Sequence, residues 1–202
     1  RLLGLLKTKE CDVRLLAKSN VENYETVLCN LGQDKIPSYA FESIDTVFHL
    51  AGFAHDLQAP GKTINSYYKV NVEATVELAK LAVENKIKRF VFVSSIKAGG
   101  LPHFGQCASE SDQHIPDGIY GRTKREAELQ LLKICKESGM HISIIRPALV
   151  FGPNLKGNLQ LMLLGIKKGW FPPLPETGNK RSMIHVDDLV RAILLVADDN
   201  RA

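Results

Sequence analysis

Aromatic residues and cysteines are scarce in this sequence, and neither class forms a cluster. Aromatics make up 7% of the chain, with one tryptophan, and four cysteines occur in 202 residues. Cys11, Cys29, Cys107 and Cys135 lie far apart and form no Cys-x-x-Cys or Cys/His metal spacing. The sequence therefore predicts no metal site, and it favours reduced, mostly buried thiols in a cytoplasmic protein.

Charge of one sign and long apolar runs are missing as well. The 26 lysines and arginines are dispersed among 22 acids, which leaves a formal net charge of +4. Because there is no run of like charge, the sequence predicts no nucleic acid partner. No apolar stretch approaches the length of a membrane span, so no span is predicted either.

Apolar strand-like segments alternate with amphipathic helical ones along the chain. The predicted strands are Asp12–Ala17, Thr26–Cys29, Asp45–Gly52, Arg89–Ser95 and His141–Pro147, with a short extended piece at Arg181–Val186. The predicted helices are Arg1–Lys7, Thr63–Asn85, one that starts beside Tyr120, Asn158–Lys168, and Asp188–Asp198 capped by Asp187. This alternation predicts an α/β fold with a doubly wound, Rossmann-type parallel sheet.

Ligands of such sheets bind outside the carboxyl ends of the strands. The residues predicted at these ends are Ala17-Lys18, Cys29-Asn30-Leu31, Leu50-Ala51-Gly52, Ser94-Ser95 and Arg146-Pro147. We therefore expect the functional site to be assembled from these short segments.

Tyr120 and Lys124 lie four residues apart in a predicted helix, which places them on one face. A phenol titrates near ~10 and is a poor acid or base at neutral pH, but a neighbouring ammonium favours the phenolate. The pair is therefore a candidate general acid/base. Taken alone, the same spacing also fits two solvated side chains on a helix surface.

Six segments in order carry a resemblance to a known family. They are Phe48–Gly52, Asn71–Thr75, Val93–Ser95, Tyr120–Lys124, Arg146–Pro153 and Arg181–Leu189. They are similar to the His-x-Ala-Gly, Asn-Val-x-Gly-Thr, Ser-Ser, Tyr-x-x-x-Lys, Arg-Pro-x-x-Val-Tyr-Gly-Pro and Arg-Asp-x-x-His-Val-x-Asp-Leu motifs of the extended short-chain dehydrogenase/reductases, the NAD-dependent epimerase/dehydratase family. Ala74 stands where that family usually has glycine.

The resemblance covers essentially the whole chain and implies how it is organised. Residues 1–153 are expected to form the dinucleotide-binding Rossmann domain, and residues 154–202 part of an intertwined substrate-binding region. The family opens with a strand and a Gly-x-x-Gly-x-x-Gly turn, and Arg1 falls just beyond that turn. We therefore expect residues 1–202 to lack the first strand and the phosphate-binding loop, and to hold only the start of the C-terminal part.

By the family pattern, Tyr120 is the general acid/base and Lys124 lowers its pKa and hydrogen-bonds the nicotinamide ribose. Ser95 orients the substrate oxygen, although a strand-end hydroxyl can also simply bond its own loop. The residues that the resemblance assigns to the cofactor are Lys18, Asn30, Leu31, Leu50, Ala51, Gly52, Asn71, Ser94, Tyr120, Lys124, Pro147 and Leu149.

The choice between NAD and NADP depends on the end of the strand Asp12–Ala17. An acid at that place would bond the ribose hydroxyls and repel a 2′-phosphate. Ala17 holds the place, Lys18 follows it, and Arg14 is close by. A cation without an acid favours NADP, although a solvated surface lysine leaves NAD open.

On the substrate side the resemblance assigns Ser95, Asn158 and Arg181 to a sugar nucleotide. The fork of an arginine suits a diphosphate, although Arg181 could instead pair with Asp187 on the surface. Leu149 replaces an Asn found in many 4-epimerases of the family. We therefore predict an NAD(P)-dependent reductase of 4-keto deoxysugar nucleotides of the kind used for surface polysaccharides. A UDP-sugar 4-epimerase and a non-catalytic dinucleotide-sensing protein are the alternatives, and a homodimer is expected.

Overall fold

The computed structural model describes residues 1–54, 64–100, 102, 105–111, 113–116, 118–153, 158–171, 178 and 180–199. The helices are α1 (Leu2–Thr8), α2 (Ile64–Tyr68), α3 (Ala74–Glu84), α4 (Gly118–Ser138), α5 (Asn158–Lys167) and α6 (Val186–Asp198). The strands are β1 (Arg14–Ala17), β2 (Glu25–Leu28), β3 (Thr46–His49), β4 (Arg89–Val93), β5 (His141–Ile145), β6 (Leu149–Phe151) and β7 (Met183–His185).

Every strand pairing in the described residues is parallel. β1 pairs with β2, β4 lies between β3 and β5, and β6 pairs with β7. The sequence did not predict β6, because this three-residue segment lies inside the Arg146–Pro153 motif, between Pro147 and Pro153. Its pairing with β7 joins residues on both sides of the expected boundary at position 153, and the division into two domains stays a prediction.

The central strand β4 shows why helices cover both faces of the sheet. Phe90 and Phe92 are fully buried in a core shared with α3 and α4. Val91 belongs to a second core with residues of α1 and α6, and Val93 packs against it. Because successive strand residues point to opposite faces, these two cores lie on opposite sides of β4. The predicted α/β, Rossmann-type architecture is confirmed.

The helix predicted at Thr63–Asn85 runs without a gap from Ile64 to Glu84, but it is not a regular α-helix throughout. The π turn, Lys69–Glu73, separates α2 from α3. Asn71 lies inside this turn and is completely buried. Asn is a poor residue for a regular helix interior, and π turns insert one extra residue into a helix. The interruption therefore falls at the residue whose side chain makes contacts outside the helix.

Two smaller expectations were wrong. The side chain that caps α6 is His185, whose Nδ1 accepts a hydrogen bond from the Asp187 backbone N–H at 3.3 Å. The Asp187 carboxylate instead pairs with Arg1 at 3.3 Å. Cys11 and Cys107 are exposed, so the thiols are not mostly buried. None of the helices in the described part of the chain is long and apolar enough to cross a membrane.

Candidate active site

Ser95 and Tyr120 meet where the end of β4 faces the start of α4. The Ser95 side chain lowers the pKa of Tyr120 by acting as a hydrogen-bond partner of the phenol, and its Oγ accepts a hydrogen bond from the Lys97 N–H of its own loop at 3.3 Å. The approach depends on Gly121, since a Cβ there would lie only 2.6 Å from the Lys97 carbonyl oxygen. That carbonyl belongs to a short 3₁₀ turn that directly follows Ser95. A glycine beside the tyrosine therefore lets the serine-bearing loop close onto the helix.

Lys124 is an almost fully buried cation, with 2% of its surface exposed. Its ammonium Nζ donates a hydrogen bond to the Val93 carbonyl at 3.0 Å. The same atom lies 4.6 Å from the centre of the Phe92 ring, a cation–π arrangement. Burial lowers the pKa of Lys124 to about 8, against the opposing effect of the Glu128 carboxylate. The ammonium is thus close to titrating near neutral pH.

Gly52 and Asn71 shape the space around Lys124. A Cβ at position 52 would lie 3.0 Å from Lys124 Nζ and 3.5 Å from Asn71 Oδ1. Asn71 accepts a hydrogen bond from the Phe53 N–H at 2.7 Å and donates to the Phe53 carbonyl and Thr123 Oγ1, both at 3.0 Å. The Asn71 side chain therefore fastens the turn after β3 to α4, beside the lysine.

His49 ends β3 as a neutral, buried ring. Its Nε2 lies 2.8 Å from Thr75 Oγ1, and the ring stacks on Phe92 at 5.5 Å between centres. Burial first, and then the charge of Lys124, lower its pKa to about 3. His49 therefore adds no positive charge beside Lys124 at neutral pH, and it supports the ring over which the ammonium lies.

The pKa of Tyr120 differs from the expectation that Lys124 lowers it. Burial raises the pKa of Tyr120, the Ser95 hydrogen bond opposes that rise, and Tyr67 adds to it. Lys124 Nζ is directed to the Val93 carbonyl. In the chain alone, the Tyr120 phenol is therefore protonated at neutral pH, as a proton donor must be.

Sequence reasoning missed an acidic network behind this pair. Glu128 accepts hydrogen bonds from Ser94 Oγ at 2.6 Å and from Arg146 Nε and Nη2 at 2.9 and 2.6 Å. Ser94, predicted to bind the cofactor, thus has its hydroxyl committed to a buried acid. In a sequence, a glutamate in the middle of a helix looks the same whether it is buried or solvated. The signals that could have identified Glu128 are its position four residues after Lys124 and the presence of Arg146 at the end of a predicted strand.

The remaining predicted cofactor residues differ in how available they are. Lys18, Leu50, Ala51 and Leu149 are exposed, Pro147 is half-buried, and Leu31 packs partly into the core beside α3. The Asn30 side chain bonds Gln33 within its own turn. Lys18, Leu50 and Ala51 directly follow the carboxyl ends of β1 and β3, and Leu149 begins β6, whereas Leu31 and Asn30 already have structural contacts.

Arg14 is not available to bind a 2′-phosphate, so it does not support the prediction of NADP. Its Nε pairs with Glu25 Oε1 at 2.6 Å. Its Nη1 donates to the backbone carbonyls of Tyr39 and Glu42 at 3.2 and 2.8 Å. Two cations, Lys18 and Arg14, suggested NADP. Of these two, Lys18 alone is left to meet a 2′-phosphate near the end of β1.

Besides Ser95, the two other predicted substrate residues belong to the last part of the chain. Arg181 is exposed just before β7. Asn158 begins α5, and its side chain falls outside the part of the molecule that is described. Within the described residues, no group of three or more His, Cys, Asp or Glu side chains could hold a metal ion.

Comparisons with known proteins identify a family. The model of the NAD dependent epimerase/dehydratase family matches residues 2–202. A UDP-glucose 4-epimerase of Vibrio cholerae is 40% identical over 163 residues, 77% of this chain and 48% of that protein. An N-acetyl-alpha-D-glucosaminyl-diphospho-ditrans,octacis-undecaprenol 4-epimerase of Escherichia coli O157:H7 is 31% identical over 76% of this chain and 46% of its own.

Solved structures share the fold at lower identity. MoeE5 in complex with UDP-glucose and NAD superposes with a TM-score of 0.81 at 24% identity, covering 98% of this chain and 67% of the other. The chain spans about half the length of the curated relatives it matches. Both the family description and the complex specify NAD, and the preference for NADP has no support among them. On its sequence and its fold, the chain belongs to the NAD-dependent epimerase/dehydratase family.

Proposed function

We propose that this chain carries the proton chemistry of an NAD-dependent oxidoreductase that acts on C4 of a sugar nucleotide. The observation that carries the proposal is the assembly of Ser95, Tyr120 and the buried Lys124 at the end of β4. An ammonium is costly to bury, and here it lies beside a phenol that has its own hydroxyl partner. Such an arrangement suits general acid/base work more than structural support.

The residues around Lys124 fit a nicotinamide dinucleotide. Ala51 and Gly52 are exposed at the end of β3, and the absence of a Cβ at position 52 keeps the space beside Lys124 Nζ open. Lys124 would hold the ribose next to the nicotinamide, and Pro147 would border its other side. A bound nicotinamide dinucleotide supplies the hydride acceptor and donor of the reaction.

Tyr120 moves the proton that accompanies this hydride. When a carbinol is oxidised, the phenolic oxygen takes the hydroxyl proton; when a ketone is reduced, it returns the proton to the oxygen. Ser95 hydrogen-bonds the same phenol and can orient the substrate oxygen beside it. Burial keeps the Tyr120 phenol protonated in the chain alone, which suits the second of these steps, the return of the proton.

Two overall reactions use these steps. We propose 4-epimerisation, supported by the 40% identity to a UDP-glucose 4-epimerase; here the ketone is reduced again on its other face, without net change of cofactor. The second candidate is reduction of a 4-keto sugar nucleotide, which the sequence favours through Leu149. Leu149 is exposed beside the half-buried Pro147, and an apolar side chain there offers no polar contact to a sugar hydroxyl.

We propose NAD as the cofactor, because the family and its complex specify NAD and Arg14 is engaged by Glu25. The test is binding of NAD and NADP to the full-length protein and to Lys18→Ala. NAD should bind more tightly, and the substitution should change its affinity little. Preference for NADP that disappears in Lys18→Ala would restore the prediction made from the sequence.

The decisive experiment is Tyr120→Phe in the full-length protein, with Tyr39→Phe, an exposed tyrosine, as matched control. Turnover of UDP-glucose to its C4 epimer should fall about 10²- to 10⁴-fold, while cofactor affinity is retained. The control should keep its activity. Stoichiometric loss of reduced cofactor with a 4-keto sugar nucleotide would favour the reductase. Wild-type turnover in Tyr120→Phe sinks the catalytic assignment, and cofactor binding without turnover of either substrate indicates a sensing protein.

We also propose that the protein is a homodimer. Helices α3 and α4 border a groove, which is lined by the apolar Val72, Val76 and Leu81, by Gln130, and by the charged Glu73, Glu77, Lys80 and Glu84. Leu129 and Leu132 are exposed on the same helix as Gln130. Apolar side chains around a groove favour protein contact. Sedimentation should show that the full-length protein is a dimer and that its Leu132→Glu variant dissociates more readily. If both proteins sediment as monomers, the proposal is wrong.

A further inference from the structure

A buried acid lies directly behind the Tyr120–Lys124 pair. Glu128 is 1% exposed and stands one helical turn after Lys124 on α4. A carboxylate in such a place is strongly destabilising unless charged and hydrogen-bonding partners compensate it. The path of the proton through Tyr120 does not include Glu128, so its burial calls for another explanation.

The partners of Glu128 come from three elements. Ser94, just after β4, donates to Oε1 at 2.6 Å. Arg146, just after β5, binds both carboxylate oxygens, at 2.9 and 2.6 Å. Arg125, on α4 itself, lies 3.4 Å from Oε2. Bidentate arginine–carboxylate pairs fix geometry as well as charge. One carboxylate therefore joins α4 to the carboxyl ends of the two strands that border the site.

This junction holds the peptide that carries Ser95 from both sides. The Ser94 N–H donates to the Ile145 carbonyl at 2.8 Å, and the Ile96 N–H donates to the Pro147 carbonyl at 3.0 Å. Ser95 thus lies between two backbone bonds to the segment that contains Arg146. Because Glu128 binds both Ser94 and Arg146, it sets where this segment lies relative to the helix that carries Tyr120.

Glu128 also supplies negative charge to the surroundings of Lys124. The groups that face Lys124 are Tyr120 and Glu128 from α4 and His49 from β3, with Arg146 behind Glu128 from the end of β5. Tyr120 and His49 are neutral in the chain by itself at neutral pH. The charge balance around the ammonium therefore depends on Glu128 and on the arginine that partly neutralises it.

We propose that Glu128 is a positioning residue for the reaction: it holds the Ser95 segment against α4, one helical turn after Lys124. The inference rests on the proposed function, since it gives Glu128 a task toward the groups that perform that reaction. Glu128 touches Ser94 and Arg146, and it acts through them and through its field on Lys124. Its carboxylate opposes the effect of burial on the pKa of Lys124.

The test is the titration of Lys124 itself, followed by side-chain NMR of the full-length protein with isotope-labelled lysine and assigned with Lys124→Met. Glu128→Gln keeps the size of the side chain and removes its charge. We expect the midpoint of the Lys124 titration to fall by about one pH unit. Glu126→Gln is the matched control, because Glu126 lies on the same helix and accepts a hydrogen bond from Gln130 at 2.9 Å. Its midpoint should equal that of the wild type.

Arg146→Met gives the opposite sign and remains informative if Glu128→Gln does not fold. Removing the arginine leaves the carboxylate less neutralised, so the Lys124 midpoint should rise. A purely structural role would not move the two variants in opposite directions. Any other pattern of shifts overturns the proposal. If only Arg146→Met folds, a Lys124 midpoint that is unchanged or lower in that variant is enough to overturn it.

Turnover separates this inference from the proposed function. At neutral pH, kcat of Glu128→Gln should fall about tenfold, with KM for the sugar nucleotide retained. Wild-type kcat in Glu128→Gln overturns the positioning role. If Tyr120→Phe loses activity while Glu128→Gln behaves as Glu126→Gln, only the role of Glu128 is wrong. If Tyr120→Phe keeps activity, the proposed function fails, whereas the NMR titration is read independently.

Discussion

Two regions of the molecule differ in how their side chains are held. The first, the catalytic region, consists of α4 and the carboxyl ends of β3, β4 and β5. Its polar groups are buried and bonded, as Lys124 and Glu128 show. The second, the β6–β7 region, consists of β6, α5 and β7, and α5 leaves Leu161 63% exposed.

The difference indicates how the work of the site is divided. In the catalytic region the buried charges of Lys124 and Glu128 have fixed partners, and we propose that they set the proton chemistry. In the β6–β7 region the apolar side chains of α5 remain open, and Arg181, just before β7, is exposed. Open apolar surface is available to a substrate or to further protein. We therefore propose that the type of reaction depends on the first region and the choice of sugar on the second.

Removing the buried positive charge of Lys124 should have the largest effect on the catalytic region. Lys124→Met should lower turnover about 10²- to 10⁴-fold, because the charge beside Tyr120 and the ribose contact are both lost. Lys133→Met, on the exposed side of the same helix, is the control. Steady-state kinetics of the full-length protein measure both. Equal activity in the two variants would remove Lys124 from the mechanism.

A matched pair of leucines measures the packing of the two regions directly. Leu131 on α4 has no exposed surface, so Leu131→Ala should lower the free energy of unfolding by about 2–5 kcal/mol. Leu161→Ala on α5 should change it by less than about 0.5 kcal/mol. Urea unfolding compares them. A large loss in Leu161→Ala would show that α5 is covered in the full-length protein.

Acid should weaken the catalytic region through His49. Its folded pKa of about 3 lies below the ordinary 6.5, so the unfolded chain binds more protons between these values. The stability that neutral His49 contributes is complete above pH 6.5 and is lost as pH falls toward 3.

The comparison is wild type against His49→Asn, with His141→Asn as control. The advantage of the wild type in unfolding free energy should shrink with a slope of at most about 1.4 kcal/mol per pH unit. Chemical denaturation at a series of pH values measures it. A constant difference across that range contradicts the assignment of His49 as a buried neutral ring.

Gly52→Ala should separate activity from stability. The added Cβ would lie 3.0 Å from Nζ and 3.3 Å from Cε of Lys124, the end of a flexible side chain that can move away. We expect turnover to fall about tenfold from displacement of the ammonium, with less than about 1 kcal/mol lost in stability. Gly4→Ala, with nothing near its Cβ, should keep activity and gain some stability. Unchanged turnover in Gly52→Ala would show that the reaction does not depend on the position of the Lys124 ammonium.

The sequence was sufficient for the alternation of strands and helices and for the strand ends that carry Ser95 and Gly52. These depend on local apolar periodicity and on short motifs, which a single sequence displays. It did not reveal β6, the π turn or the Glu128–Arg146 pair. Each of these depends on a partner distant in sequence: β7 for β6, Phe53 and Thr123 for Asn71, and the end of β5 for Glu128.

Tyr120 illustrates the same limit at the level of one side chain. Its place four residues before Lys124 was predictable, but the rise in its pKa was not, because that rise comes from burial. Arg14 was likewise predicted to be near the cofactor, whereas Glu25 and two backbone carbonyls occupy it. Sequence patterns place a residue on an element; only the tertiary structure says which of its atoms remain available.

The π turn at Lys69–Glu73 makes the length of this segment as important as its composition. Deleting one residue there would remove the extra residue of the π turn and permit an unbroken α-helix in which α2 and α3 keep their relative orientation. The deletion would instead take away the widened turn that holds the fully buried Asn71, and with it the hydrogen bonds to Phe53 and Thr123. A substitution in this helix changes one side chain, whereas a one-residue deletion would remove the backbone shape that ties the turn after β3 to α4.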